Sequence, residues 1–203
     1  MSEKTVVTEM KMRMSDPTAL GVFGLAMVTF VASSQKLGWT TGVEHIIPWA
    51  MMLGSIAQIW AAKVDFKNNN YFGSIVLGAY GLFWMAVSIN WMITLGWFGM
   101  TKGDTTQVAF GFLGYFIFSL FITVAAFEVS KVFAAILVLI DVLLLSLGLA
   151  ALGVAEIFSH IAAWSEFAIA LLSFYACGGI FLNNFFGKKV LPMGKPFGFI
   201  KKG

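Results

Sequence analysis

Apolar residues in this chain come in long, nearly unbroken runs, not in the period-2 alternation of strands or the one-sided stripes of soluble helices. Six runs are long enough to cross a bilayer as helices, at 18–34, 46–62, 71–95, 108–127, 132–153 and 161–181. Such a crossing takes roughly 20 residues, because each rises about 1.5 Å through a hydrocarbon layer about 30 Å thick. The stretches between them are short. The longest, 96–107, is too small for a soluble domain. The pattern predicts an all-α integral membrane protein of six transmembrane helices. One membrane domain over 18–182 is flanked by tails at 1–17 and 183–203.

Composition sharpens this reading. Only 11% of the residues are charged against 59% hydrophobic, whereas a soluble domain carries about a quarter charged residues. Disorder and nucleic-acid binding are excluded as main themes. The single Cys177 forms no intrachain disulfide and is too few thiols for a CxxC-type zinc site, so no metal or other cofactor is expected.

The charges then fix an orientation. Lys4, Lys11, Arg13, Lys63, Lys67, Lys131, Lys188, Lys189, Lys195, Lys201 and Lys202 fall on one side of the six spans, and only Lys36 and Lys102 on the other. Eleven against two places both termini in the cytoplasm of a plasma (inner) membrane protein. An even number of spans requires the same. The acidic residues Glu9 and Asp16 ahead of the first run argue against its being a cleaved signal.

Glycines recur inside the runs, at 21 and 24, at 73, 78 and 81, at 111 and 114, and at 178 and 179. They point to close helix packing or to space left for a passage. Because the third run ends outside, runs four to six oppose runs one to three, the arrangement of a 3+3 inverted repeat. Six helices in a chain with 21 phenylalanines leave much apolar surface, which suits a homo-oligomer with one pathway per subunit.

An ionisable group at bilayer depth is a functional candidate by default. Asp141, in the middle of the fifth run, has two open readings: a proton carrier, or a hydrogen-bonded tie between helices. Gln58 offers donor and acceptor without charge. Thr29, Ser74, Ser88, Asn90, Ser119, Thr123, Ser146 and Ser173 add hydroxyls and an amide, most expected to bond back to their own helices. Tyr80 beside Gly81 is either shielded core or the wall of a narrow passage. His45 and His160 lie at the outer edge near Glu44 and Glu156, where they cannot bracket a buried haem; external pH sensing is open to them. Glu166 is expected to face the same outer vestibule. Asp16-Pro17 reads as a helix start, with Asp as the cap and Pro as the first helical residue, leaving amides free to meet an anion.

The run Asp16-Pro17-Thr18-Ala19-Leu20-Gly21-Val22 resembles the Asn-Pro-Ala-Pro-Leu-Gly-Leu signature of the acetate uptake transporter (SatP/YaaH) family of succinate-acetate permeases. Gly54-Ser55-Ile56-Ala57-Gln58-Ile59-Trp60-Ala61 resembles its Gly-Gly-Ile-Ala-Gln-Ile-Phe-Ala segment, and Ala79-Tyr80-Gly81-Leu82-Phe83-Trp84 its Ser-Tyr-Gly-Ser-Phe-Trp segment. The stretch Phe186-Gly187-Lys188-Lys189-Val190-Leu191-Pro192-Met193-Gly194 is similar to Phe-Gly-Arg-Thr-Val-Leu-Pro-Ile-Gly.

The resemblance implies a ring-shaped homo-hexamer of six-span protomers, each passing acetate or succinate, generally with a proton. It implies a mid-membrane gate of Phe, Tyr and Leu, which falls on Leu25, Tyr80 and Ile140 here. The signature places candidate substrate contacts at Asp16, Pro17, Leu20 and Gly21; to these the polar groups Thr29 and Gln58 are added as candidate contacts, and Asp141, where the family carries a neutral residue, is this chain's own candidate for proton coupling. Asp16 replaces the signature Asn and puts a negative charge at the entrance, which weakens anion capture unless it is paired. Two rival functions stand beside symport: a passive channel for small anions or neutral solutes, and a membrane-anchor or scaffold subunit of a redox complex. No Ser-His-Asp or metal-ligand cluster suggests an enzyme.

Overall fold

The computed structural model describes residues 14–100 and 103–200. Lys4, Lys11, Arg13, Lys102, Lys201 and Lys202, counted above for orientation, and Glu9, set against a cleaved signal, lie outside the described residues. Among those described, five helices are long and apolar enough to cross a membrane: α1 (Thr18–Lys36), α4 (Tyr71–Thr94), α5 (Thr106–Ala126), α6 (Lys131–Ala151) and α7 (Ile157–Phe186).

The second expected span is built differently. A short α2 (Ile47–Trp49) runs directly into a π-helical segment, Ala50–Ala57, and then into α3 (Gln58–Lys67). The rod is continuous, but its middle is wound with i→i+5 bonds, a rare geometry that widens the turn and tends to occur at functional sites.

Local chemistry sets the ends. The Asn70 side chain accepts the Gly73 N–H at the start of α4, and the Ser130 hydroxyl accepts the Phe133 N–H at the start of α6. Gly187, with φ of 61°, closes α7 in the left-handed conformation that glycine adopts without strain. At α1 the expectation needs correcting. Pro17 is the cap residue, not the first helical one, and its carbonyl accepts from Leu20 and Gly21 at 3.0 and 3.2 Å.

The helices form a ring in the order α4, the α2–π–α3 rod, α1, α7, α6, α5 and back to α4. Within each triplet the middle element packs against both neighbours. The two seams between triplets are unequal, however: α1 lies along α7, while the backbones of α4 and α5 stand apart and meet through side chains.

Both ends of the described chain meet at one face, the terminal face. There Asn184 donates to Asp16 at 3.0 Å, and Asn68 and Met14 bond each other. Residues after α7 are not a loose tail. Asn183 holds the backbone of Val190 and Leu191, the Met193 carbonyl accepts from Val132 at 3.1 Å, and the Phe197 N–H reaches Phe127 at 2.9 Å.

Candidate functional site

The bundle interior is apolar but threaded by polar groups that lipid cannot satisfy. Leu25, Tyr80 and Ile140, from α1, α4 and α6, belong to one hydrophobic cluster, Tyr80 and Ile140 buried in it and Leu25 packed against it. Three helices distant in sequence thus contribute to one continuous apolar interior.

Gln58 is fully buried, and neither its amide oxygen nor its amide nitrogen has a protein partner; the neighbouring Ser55 hydroxyl is in the same state. A buried amide left unpaired costs about 1–3 kcal/mol, so this position is paid for elsewhere in the fold. Both residues stand where the π-helical segment hands over to α3. They are reached by two close backbone approaches. A Cβ on Gly24 would collide with the Leu53 carbonyl, and a Cβ on Gly81 would come within 2.7 Å of Ile59 and 3.1 Å of the Ser55 carbonyl. The glycines Gly24 of α1 and Gly81 of α4 are therefore packing residues. Those of α5 are not: a Cβ on Gly111 or Gly114 meets nothing.

Thr29 is buried, but its hydroxyl donates to the Leu25 carbonyl at 2.7 Å, so its proton is already committed to its own helix. Asp16 is paired: one carboxylate oxygen accepts the Thr18 N–H at 2.9 Å and the other the Asn184 amide. Both partners are neutral amides, so they fix the carboxylate in place and leave its charge at the entrance. Leu20 points out of the protomer, 44% exposed, while its neighbour Gly21 is buried against Leu77.

Asp141 does not stand alone. Its two carboxyl oxygens accept from Ser119 and Thr123, the latter at 2.7 Å, and the Ser119 hydroxyl in turn accepts from Tyr80 Oη at 2.8 Å. The carboxyl on α6 is joined through α5 to the aromatic hydroxyl on α4. All four residues are buried. Ser119 and Thr123 sit one helical turn apart on α5, a spacing that places both on one face. That spacing was the available signal for them in the sequence.

Tyr115, which sequence reasoning passed over, donates to the Ala79 carbonyl at 3.0 Å and packs edge-on against Phe83. Both line a cavity of about 520 Å³ opening between α4 and α5 toward the face opposite the termini, with Asn90, Thr94, Asp104 and Gln107 along its sides. Glu166 does not face an open vestibule. It is 1% exposed and paired with Lys36 at 2.8 Å. His45 and His160 are exposed at that same face.

A bundle of apolar helices with a buried, partly unsatisfied polar file defines an integral membrane protein with polar chemistry at its centre. The GPR1/FUN34/yaaH family profile matches residues 3–195, and the chain belongs to that family. It is a transporter-family protein, not an enzyme. Among its relatives is the succinate-acetate/proton symporter SatP of Escherichia coli strain K12, 28% identical over 185 residues, 90% of this chain and 97% of that one. Acetate permease A of Emericella nidulans is 28% identical over 149 residues, covering 67% of this chain and 49% of its own length. The solved structure of the bacterial acetate channel SatP has the same fold, with a TM-score of 0.84, 24% identity, and coverage of 89% of this chain and 99% of that one.

Proposed function

We propose that this protein carries small carboxylates, acetate and also succinate, across the plasma membrane together with protons, by a path inside each protomer. In this reading it crosses the bilayer six times with both termini in the cytoplasm. The observation that carries the proposal is the Gln58 amide, buried in the bundle with its donors and acceptor unspent. A carboxyl group needs both functions: the amide N–H donates to its carbonyl oxygen, and the amide oxygen accepts from the acid O–H when the substrate travels neutral. Crossing as the neutral acid avoids the desolvation penalty of a bare carboxylate.

The substrate then enters past Asp16, Pro17 and Gly21, is held at Gln58 with the Thr29 oxygen available only as an acceptor, and passes the ring of Leu25, Tyr80 and Ile140. Asp141 is the proton-exchanging group. The outward faces of α5 carry Phe110, Ile117 and Phe121 at 60–73% exposure, which supports assembly of protomers into a ring.

The test is uptake of labelled acetate by proteoliposomes under an imposed pH gradient. Accumulation that follows the gradient supports symport. Equilibration without accumulation assigns a passive channel, and no uptake at all rejects the transport reading.

A further inference from the structure

The chain from Tyr80 Oη through Ser119 Oγ to Asp141 has a direction. With Asp141 ionised, each hydroxyl spends its single proton along the chain: Tyr80 donates to Ser119, Ser119 donates to one carboxylate oxygen, and Thr123 donates to the other. No proton is left over. A proton added to the oxygen that faces Ser119 turns that oxygen into a donor. Ser119 then accepts from Asp141 and must rotate its own proton toward Tyr80. Tyr80 accepts in turn, and its O–H swings out of the chain. Each hydroxyl keeps its own proton, and only one proton, on Asp141, has been added.

We infer that Ser119 is a positioning residue that converts the protonation state of Asp141 into the hydrogen-bonding polarity of Tyr80. The tyrosine hydroxyl is tied inward when Asp141 is charged and is released as a donor toward a carboxylate at the gate when Asp141 is neutral. This rests on the proposed function for its consequence, because it makes the gate receptive to an anion only once a proton has been loaded.

The surroundings leave this chain as the route of response. On α5, Tyr115 is held by the Ala79 carbonyl. On α7, Glu166 is held by Lys36 of α1, Tyr175 by the Pro192 carbonyl, and Cys177 packs against the hydrophobic cluster. No cation pairs with Asp141 among the described residues. Protonation of the oxygen facing Thr123 would act differently, since that hydroxyl can turn back to its own helix and leave Tyr80 unchanged.

The decisive experiment is infrared difference spectroscopy of the full-length protein in liposomes during a pH titration, with no substrate present. The carboxyl band of Asp141 is assigned by its loss in Asp141→Asn and the phenol band of Tyr80 by its loss in Tyr80→Phe. The two bands are expected to shift with one midpoint in the unsubstituted protein. In Ser119→Ala the carboxyl band still titrates while the phenol band loses its response; Ser119→Thr, which keeps a hydroxyl, restores it, and Thr123→Val leaves the coupling intact. A phenol band that ignores the titration of Asp141 in the unsubstituted protein overturns the inference, whether or not Ser119→Ala folds, and so does coupling that persists in Ser119→Ala. Acetate uptake measured on the same liposomes separates the two ideas: absent uptake with coupled bands defeats the transport reading alone, and uptake with uncoupled bands defeats the relay alone.

Discussion

Lys36 Nζ lies 2.8 Å from Oε2 of Glu166, joining the last turn of α1 to the third turn of α7 across 130 positions of sequence. The carboxylate is wholly buried and the ammonium partly so. Removing one partner of such a pair strands the other. Lys36→Met is expected to destabilise the protein by about 3 kcal/mol. Lys36→Met combined with Glu166→Leu should recover most of that loss. Thermal unfolding in detergent measures both, and a single variant as stable as the double one would show that the pair holds nothing together.

Gln58→Leu should separate stability from function. Replacing an amide that has no partner with an apolar group of similar volume removes a desolvation cost, so the variant is expected to be more stable by about 1 kcal/mol. It should lose acetate uptake. A variant that transports as before would remove Gln58 from the path.

The glycines divide sharply. Gly24→Ala drives a Cβ into the Leu53 carbonyl, a backbone atom that cannot step aside, and is expected to cost about 1–3 kcal/mol or to abolish folding. Gly111→Ala and Gly114→Ala enter open space on α5 and should gain about 0.5–1 kcal/mol from helix propensity. Equal melting temperatures for the three would contradict this division.

If the proposed gate is made by Leu25, Tyr80 and Ile140, Leu25→Ala should enlarge it. The expected outcome is a rise in succinate uptake relative to acetate in the same liposomes. A ratio that does not move would place the constriction elsewhere.

The start of α5 is pH-sensitive in a definite direction. The Thr106 hydroxyl and, at 2.9 Å, the Thr106 N–H both donate to the Asp104 carboxylate, and together, the hydroxyl first, they hold its carboxyl below the ordinary aspartate range. A depressed folded-state value means the contribution is present above the unfolded value, about 4, and fades as the pH falls through the folded one. Amide exchange at Thr106 and Gln107, corrected for its intrinsic pH dependence, should therefore lose protection on acidification. Asp104→Ala should show that loss already at neutral pH.

Much of this molecule was legible in one dimension. A run of some 20 apolar residues has few alternatives to a helix when every backbone amide must be satisfied inside its own segment. The expected ends at 18, 71 and 132 accordingly lie within a residue of those observed. Asp141 was visible for the same reason, since a carboxyl amid leucines is a local anomaly. What it bonds was not. Ser119 and Thr123 looked like any other hydroxyls that turn back to their own helices, as Thr29 and Ser88 do. Only the packing of α5 on α6 turns them toward a carboxyl about 20 residues away.

The sequence by itself determined the helices, the number of apolar runs, the lopsided distribution of charge, and the family. Tertiary structure alone decided the π-helical winding ahead of Gln58, the open seam between α4 and α5, the burial of Glu166 against Lys36, and the link from Asp141 to Tyr80. The physical reason is one of range. Hydrophobicity and backbone satisfaction act along a single segment and leave a periodic trace, whereas hydrogen-bond partners and close backbone approaches depend on which faces of separate helices meet, and no local pattern records that.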